Sequence, residues 1–221
     1  MKKSFIIANW KMNPRTLKEA KNLFNSVKKG IKSSKGIEVI VSPPFIYLPL
    51  LGREKSKIKL ASQNIFWEEN GAFTGEISPL MLKNLGVEYA IVGHSERRAL
   101  GETDAMINKK IRLALKLKLK PILCLANFVQ LKKSLKGISE KIILAYEPVF
   151  SIGTGKPCSV KKAKEIRKKI KYPLVLYGGS VNSQNAESYL KEGGFQGLLI
   201  GGASLNAKEF VKIVNLIREI K

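Results

Sequence analysis

Three side chains and three glycine-rich turns in this chain are of types and at places that could do chemistry. The side chains are the ammonium of Lys11, the imidazole of His94 and the carboxylate of Glu147. Each comes just after a short apolar run. Asn9 and Lys11 follow Phe5–Ala8, His94 and Glu96 follow Tyr89–Val92, and Glu147 follows Ile142–Ala145. A carboxylate set between an apolar run and Pro148 is partly desolvated at the rim of a fold, which raises its basicity and suits it to take a proton. His94 is the only histidine. The polar Ser95-Glu96-Arg97-Arg98 behind it can open a helix, whose N-terminus disfavours the imidazolium and leaves a neutral ring as donor. Taken singly, each residue has an ordinary explanation. A lone histidine is usually structural, a surface carboxylate is usually paired, and Lys11 is one of 33 lysines.

The turns are Ile152-Gly153-Thr154-Gly155-Lys156, Gly178-Gly179-Ser180 and Gly201-Gly202-Ala203-Ser204. Glycine lets backbone approach a ligand closely, and a helix start offers free N–H groups at a positive dipole end. Such turns suit a phosphate. The first is not a nucleotide-binding P-loop, because Phe150 stands where the first glycine is required and Pro157 replaces the magnesium-binding hydroxyl. No glycine trio forms a dinucleotide fingerprint.

These residues need a scaffold that brings strand ends together. Eight short runs rich in Val, Ile and Leu recur: Phe5–Ala8, Glu38–Val41, Ile58–Ala61, Tyr89–Val92, Pro121–Ala126, Ile142–Ala145, Leu174–Leu176 and Gly197–Ile200. They do not alternate with polar residues, which suits strands buried on both faces of a parallel sheet. Lys/Glu-rich stretches between them carry apolar residues at helical spacing, such as Leu17-Ala20-Leu23-Phe24-Val27 and Phe210-Val211-Val214-Ile217. The fold class is therefore α/β. A closed (β/α)8 TIM barrel is favoured over an open doubly wound sheet, because no Gly-rich turn follows the first strand. Residues 1–221 show no linker or composition break, so one barrel domain is expected. The segment Asn127–Lys141 leaves room for one short helix, which predicts a shortened fifth βα unit. In such a barrel, chemistry sits where strands end, and the turns after strands seven and eight occupy the usual phosphate position.

Composition narrows the classes further. The chain has 221 residues, is 44% hydrophobic and 26% charged, and carries a formal net charge of +23. These are ordinary globular values apart from the charge. Two cysteines exclude a disulfide scaffold, and one histidine and one aspartate leave too few ligands for a zinc or calcium site, so no metal is expected. No apolar run reaches the length of a membrane span or a signal core, and a cytoplasmic, membrane-free protein is expected. The positive field attracts anions: nucleic acid, acidic membrane or a phosphorylated small molecule. Nucleic-acid modules interleave basic residues with exposed aromatics, and no such motif is present, so no specific nucleic-acid partner is expected.

The residues also resemble those of a known family. Asn9-Trp10-Lys11-Met12-Asn13, Gln63-Asn64, Gly71-Ala72-Phe73-Thr74-Gly75-Glu76, Gly93-His94-Ser95-Glu96-Arg97-Arg98 and Ala145-Tyr146-Glu147-Pro148-Val149 are similar, in order, to the motifs of the triosephosphate isomerases. So are Ile152–Lys156, Tyr177–Val181 and Gly201–Leu205. The resemblance implies an isomerase that interconverts dihydroxyacetone phosphate and D-glyceraldehyde 3-phosphate, without a cofactor, in glycolysis and gluconeogenesis. It implies that Glu147 is the base, His94 the neutral electrophile and Lys11 the cation at the developing oxyanion. Asn9 would orient that cation, with Glu96 beside it. Backbone N–H groups of Gly153, Ser180, Gly201 and Gly202 would hold the phosphate under a lid at Pro148–Lys156. It also implies a homodimer in which Thr74 approaches the neighbour's site. The chain departs from the family pattern at Phe150, at Pro157, at Ala126-Asn127 and in the short segment that follows. A different phosphosugar isomerase on the same barrel and an anion-binding protein are the alternatives. The second would bind nucleic acid tightly at about 150 mM salt, whereas a diffuse field loses such binding there.

Overall fold

The computed structural model describes residues 3–33, 35–148 and 156–220. Eight parallel strands pair in sequence order and close on themselves: β1 (Ser4–Asn9), β2 (Ile37–Ser42), β3 (Lys59–Ser62), β4 (Tyr89–Val92), β5 (Lys120–Leu125), β6 (Ile143–Tyr146), β7 (Val175–Gly178) and β8 (Gly197–Ile200). The closing pair runs from Phe5 opposite Gly197 to Ala8 opposite Ile200. The (β/α)8 expectation holds. The strands differ from the apolar runs by a residue or so at their ends. Ser4, Asn9, Ser62 and Lys120 join because ladder hydrogen bonds are made by backbone, and a strand end at a barrel mouth can carry a polar side chain.

Alternate residues of each strand point inward. Ile7, Ile40, Ala61, Tyr89, Ile91, Ile122, Cys124, Ile143, Ala145, Leu176 and Leu199 fill the barrel interior. This is a packed core and not a pore. The other faces meet the surrounding helices. α1 (Leu17–Gly30) buries Ala20, Phe24 and Val27, its 3.6-residue stripe. It begins at a reciprocal capping box, in which the Thr16 hydroxyl accepts from Glu19 N at 3.2 Å and the Glu19 carboxylate accepts from Thr16 N at 3.0 Å. α9 (Ala207–Glu219) buries Phe210, Ile213, Val214 and Ile217 and packs beside α1 to complete the ring.

Between these lie α2 (Leu48–Leu51), α3 (Pro79–Asn84), α4 (Ser95–Ala99), α5 (Asp104–Lys116), α6 (Phe128–Ser134), α7 (Val160–Lys169) and α8 (Ala186–Lys191). The fifth unit is reduced as its sequence implies, since α6 spans only 7 residues before the chain returns to β6. One lysine breaks the rule that lysines face solvent. Lys110 on α5 is 2% exposed and bonds to Glu102 and to Asn64 Oδ1, the latter at 2.7 Å. Glu102 in turn accepts from Gly93 N at 3.2 Å, which ties the ion pair to the residue before His94.

Candidate active site

The strand ends bring Asn9, Lys11, His94 and Glu147 to one cavity of about 310 Å³. Its opposite wall is Ser180 with the Gly201-Gly202 turn, and Leu199 lies beneath.

Glu147 directly follows β6 and is 4% exposed. Its backbone N–H donates to Leu125 O at 2.9 Å, which extends the β5–β6 ladder by one step and fixes where the side chain emerges. Gly178 on the next strand makes room for it, because a Cβ there would stand 3.1 Å from Glu147 Cγ. Glu147 Oε1 lies 3.2 Å from His94 Nε2. Oε2 has no hydrogen-bond partner among the described residues, although it is buried. A buried, half-satisfied carboxylate is costly, and such groups mark functional sites.

His94 caps α4, with its Nδ1 accepting from Glu96 N at 3.2 Å. An N–H aimed at Nδ1 keeps the proton off that nitrogen, so the neutral ring carries its hydrogen on Nε2, facing Glu147. Burial works against charge on this ring, but the Glu147 carboxylate beside it raises the pKa above the ordinary 6.5. Electrostatic attraction therefore favours a second proton, and Glu96 Oε2 stands 3.6 Å from Nδ1, where that proton would sit.

Lys11 sits at φ 53, a left-handed conformation that L-residues rarely adopt. Asn9 Oδ1 accepts from Lys11 N at 3.1 Å, and Gln63 Nε2 donates to Lys11 O at 2.8 Å. These bonds hold the strained turn and aim the side chain across the cavity mouth. There Lys11 Nζ meets Glu96 Oε1 at 2.5 Å. Glu96 itself is half exposed. Gly201 lets the lysine stem pass, since a Cβ would lie 3.3 Å from Lys11 Cε.

The phosphate side is built from backbone. Ser180 is a second left-handed residue, at φ 47. Gly202 opens a short 3-10 turn, Gly202–Leu205. Among the described residues no hydrogen bond engages the N–H groups of Gly201 or Gly202. Two free donors beside an ammonium are an anion site.

Gly153 and Phe150, with most of the expected lid, lie outside the described residues. Pro157 is described and exposed. Thr74 stands on an exposed turn after β3, away from this chain's own cavity. Met12 nearby in sequence to Lys11 is 92% exposed and Phe73 is 43% exposed.

Two neighbours were not singled out by residue type. Cys124 points up the barrel interior toward Glu147, and burial, then the Glu147 carboxylate, pushes its thiol well above the usual range, so it stays neutral. Gln63 clamps β1 and β2 through Lys11 O and Ser42 O, at 2.8 and 2.9 Å. The signal for Cys124 was its in-facing parity on β5.

A family model described as triosephosphate isomerase matches residues 4–217. Among curated relatives, the triosephosphate isomerase of Caldanaerobacter subterraneus subsp. tengcongensis is 41% identical, covering 97% of this chain and all of the relative. That of Dehalococcoides mccartyi strain BAV1 is 44% identical over 96% of both chains. That of Aquifex aeolicus is 41% identical over 95% of this chain and 97% of the relative. A family match along nearly the whole barrel, with similarity of this extent, shows that the chain belongs to the triosephosphate isomerase family.

Proposed function

We propose that this chain interconverts dihydroxyacetone phosphate and D-glyceraldehyde 3-phosphate by moving a proton between adjacent carbons through an enediolate. One observation carries the reading. A carboxylate, an imidazole N–H and an ammonium converge on a cavity whose far wall offers free backbone N–H groups. The first three are what a carbon-to-carbon proton shift beside a carbonyl needs, and the last is what a phosphate needs.

Glu147 takes the proton from the carbon next to the carbonyl. His94 Nε2–H donates to the carbonyl oxygen and exchanges protons between the two oxygens. Lys11 neutralises the charge that develops there, with Asn9 holding its backbone in place. Glu96 holds the ammonium poised at the mouth. Gly201, Gly202 and Ser180 receive the phosphate, and Gly153 would join them from the lid. The Glu147–His94 contact occupies the space the enediolate needs. Substrate therefore inserts between them and takes over the His94 hydrogen bond, while the carboxylate turns to the carbon. An enediolate phosphate in water loses its phosphate readily, so the lid at Pro148–Lys156 serves to exclude water.

The chain acts as one barrel domain, in the cytoplasm and without a cofactor. It works as a homodimer in which the exposed Met12, Phe73 and Thr74 meet the partner. Among the described residues no helix is long and apolar enough to cross a membrane. The test is turnover of dihydroxyacetone phosphate in deuterium oxide. The reading expects product with deuterium on the carbon that received the shifted proton, and no incorporation in Glu147→Gln. Product with no carbon-bound deuterium, as a direct hydride shift between the two carbons would give, would overturn the enediolate, and equal incorporation in the variant would remove Glu147 as the base.

A further inference from the structure

A second cavity, of about 470 Å³, opens at the other end of the barrel, where the strands begin. Its walls are apolar, with Phe5 of β1, Ile143 of β6 and Leu174 before β7. At its inner end stands a buried pair, in which the Tyr89 hydroxyl donates to the Glu38 carboxylate and Lys3 donates to the other carboxylate oxygen. Tyr89 is 1% and Glu38 9% exposed. Against the upward pull of burial, those two hydrogen bonds and the neighbouring lysines hold the Glu38 carboxyl below its ordinary value, so it stays an acceptor. The packed interior layers separate this mouth from Glu147 and His94.

The rim carries Lys118, Lys120 and Lys141. Lys120 is already engaged, at 3.4 Å from Glu88 and 4.8 Å over the Tyr89 ring. The ammonium groups of Lys118 and Lys141 have no partner among the described residues, and both side chains are exposed. Lys118 is the informative one. It follows the C-cap of α5 at φ 60, with Leu119 N closing back to Ala114 O at 2.8 Å. This left-handed position after a helix is one that glycine fills without strain. Only three described non-glycine residues have positive φ. Two of them, Lys11 and Ser180, line the active-site cavity, and the third, Lys118, lines this one. Strained residues held in such conformations gather at ligand sites.

We propose that this mouth binds an organic phosphate with a planar apolar body, of the size of a nucleoside monophosphate. The volume lies within the range of small-molecule sites. A purely apolar ligand would leave the rim ammonium groups of Lys118 and Lys141 unanswered. A bare inorganic anion would leave the walls wet. A nucleoside monophosphate answers both, with its ring between Phe5 and Leu174 and its phosphate on Lys118 and Lys141.

Calorimetric titration of the full chain with adenosine monophosphate, and separately with inorganic phosphate, tests this. The expected result is one nucleotide per chain, bound more tightly than phosphate. In Lys118→Glu/Lys141→Glu its affinity falls by at least about tenfold, as for loss of two charge-assisted contacts. Isomerase turnover is unchanged in that variant, and the nucleotide does not compete with triose phosphate. Lys118→Gly is a second variant that relieves the backbone strain. It is expected to melt at a higher temperature and to bind the nucleotide more weakly. Nucleotide binding that is absent, no tighter than phosphate, equal in all variants, or competitive with triose phosphate would overturn the proposal. The last outcome would place the anion in the active-site phosphate pocket.

Discussion

His94 Nε2 lies 3.2 Å from Glu147 Oε1, so the proposed electrophile and the proposed base hold each other at the centre of the site. Both side chains are nearly inaccessible, at 7% and 5%. A low-dielectric setting makes the electrostatic interaction between them strong.

The reach of the carboxylate decides the rate. Glu147→Asp keeps the charge but withdraws it by about one bond length. The expected cost is on the order of 10²-fold in kcat, because misplacement of about 1 Å in a reacting group has that effect. Steady-state kinetics of the variant check it, and an unchanged kcat would remove Glu147 from its role.

The pairing also sets a pH dependence. The folded pKa of His94 is raised above 6.5 by Glu147. A raised folded pKa contributes stability that is fully present below the unfolded value and fades as pH rises through the folded one. The stability difference between the wild type and Glu147→Gln is therefore expected to shrink as pH rises from about 6.5 through the raised folded value. Because the chain has one histidine, nitrogen NMR of the labelled ring reads its state without ambiguity. At high pH the proton should sit on Nε2, and the pKa should fall in Glu147→Gln. A difference that grows with pH, or a proton on Nδ1, would contradict the assignment.

The buried Lys110–Glu102 pair is expected to act through the loop that carries His94. Lys110→Met leaves the Glu102 carboxylate buried without its cation, a change that costs about 3–5 kcal/mol. Glu102→Gln/Lys110→Met removes the charge while keeping an acceptor for Gly93 N, and should recover much of that loss. Denaturant melts of the two variants distinguish the cases. Equal stability of both would show that the charge is not what destabilises the single variant.

The exposed Met12 and Phe73 make a dimer testable. Thr74→Arg is expected to shift the protein toward monomers in sedimentation, with a parallel loss of activity. A dimer that persists unchanged would place the interface elsewhere.

Much of this fold was legible because its strands are buried on both faces. Tyr89–Val92 and Gly197–Ile200 are continuous apolar runs, and their bounds match the strands. β3 was harder to bound, since Lys59 begins it and Ser62 ends it, and only backbone pairing to β2 and β4 shows that they belong. The site was legible to the extent that Lys11, His94 and Glu147 each follow a strand. Their mutual distances were not, because these depend on closure of the barrel. Nor could the sequence reveal that Lys110 is buried or that Lys118 is left-handed. Both are set by contacts with residues distant along the chain or by a helix end, and a lysine at either place reads as one more solvated charge.

The central claim is that this chain is a working isomerase with Glu147 as its base. A coupled assay with glyceraldehyde 3-phosphate on the purified chain, run beside Glu147→Ala, tests it most directly. The account expects fast turnover in the wild type that collapses in the variant while both melt cooperatively. A folded wild type with no turnover, or a variant that turns over as fast, would contradict it.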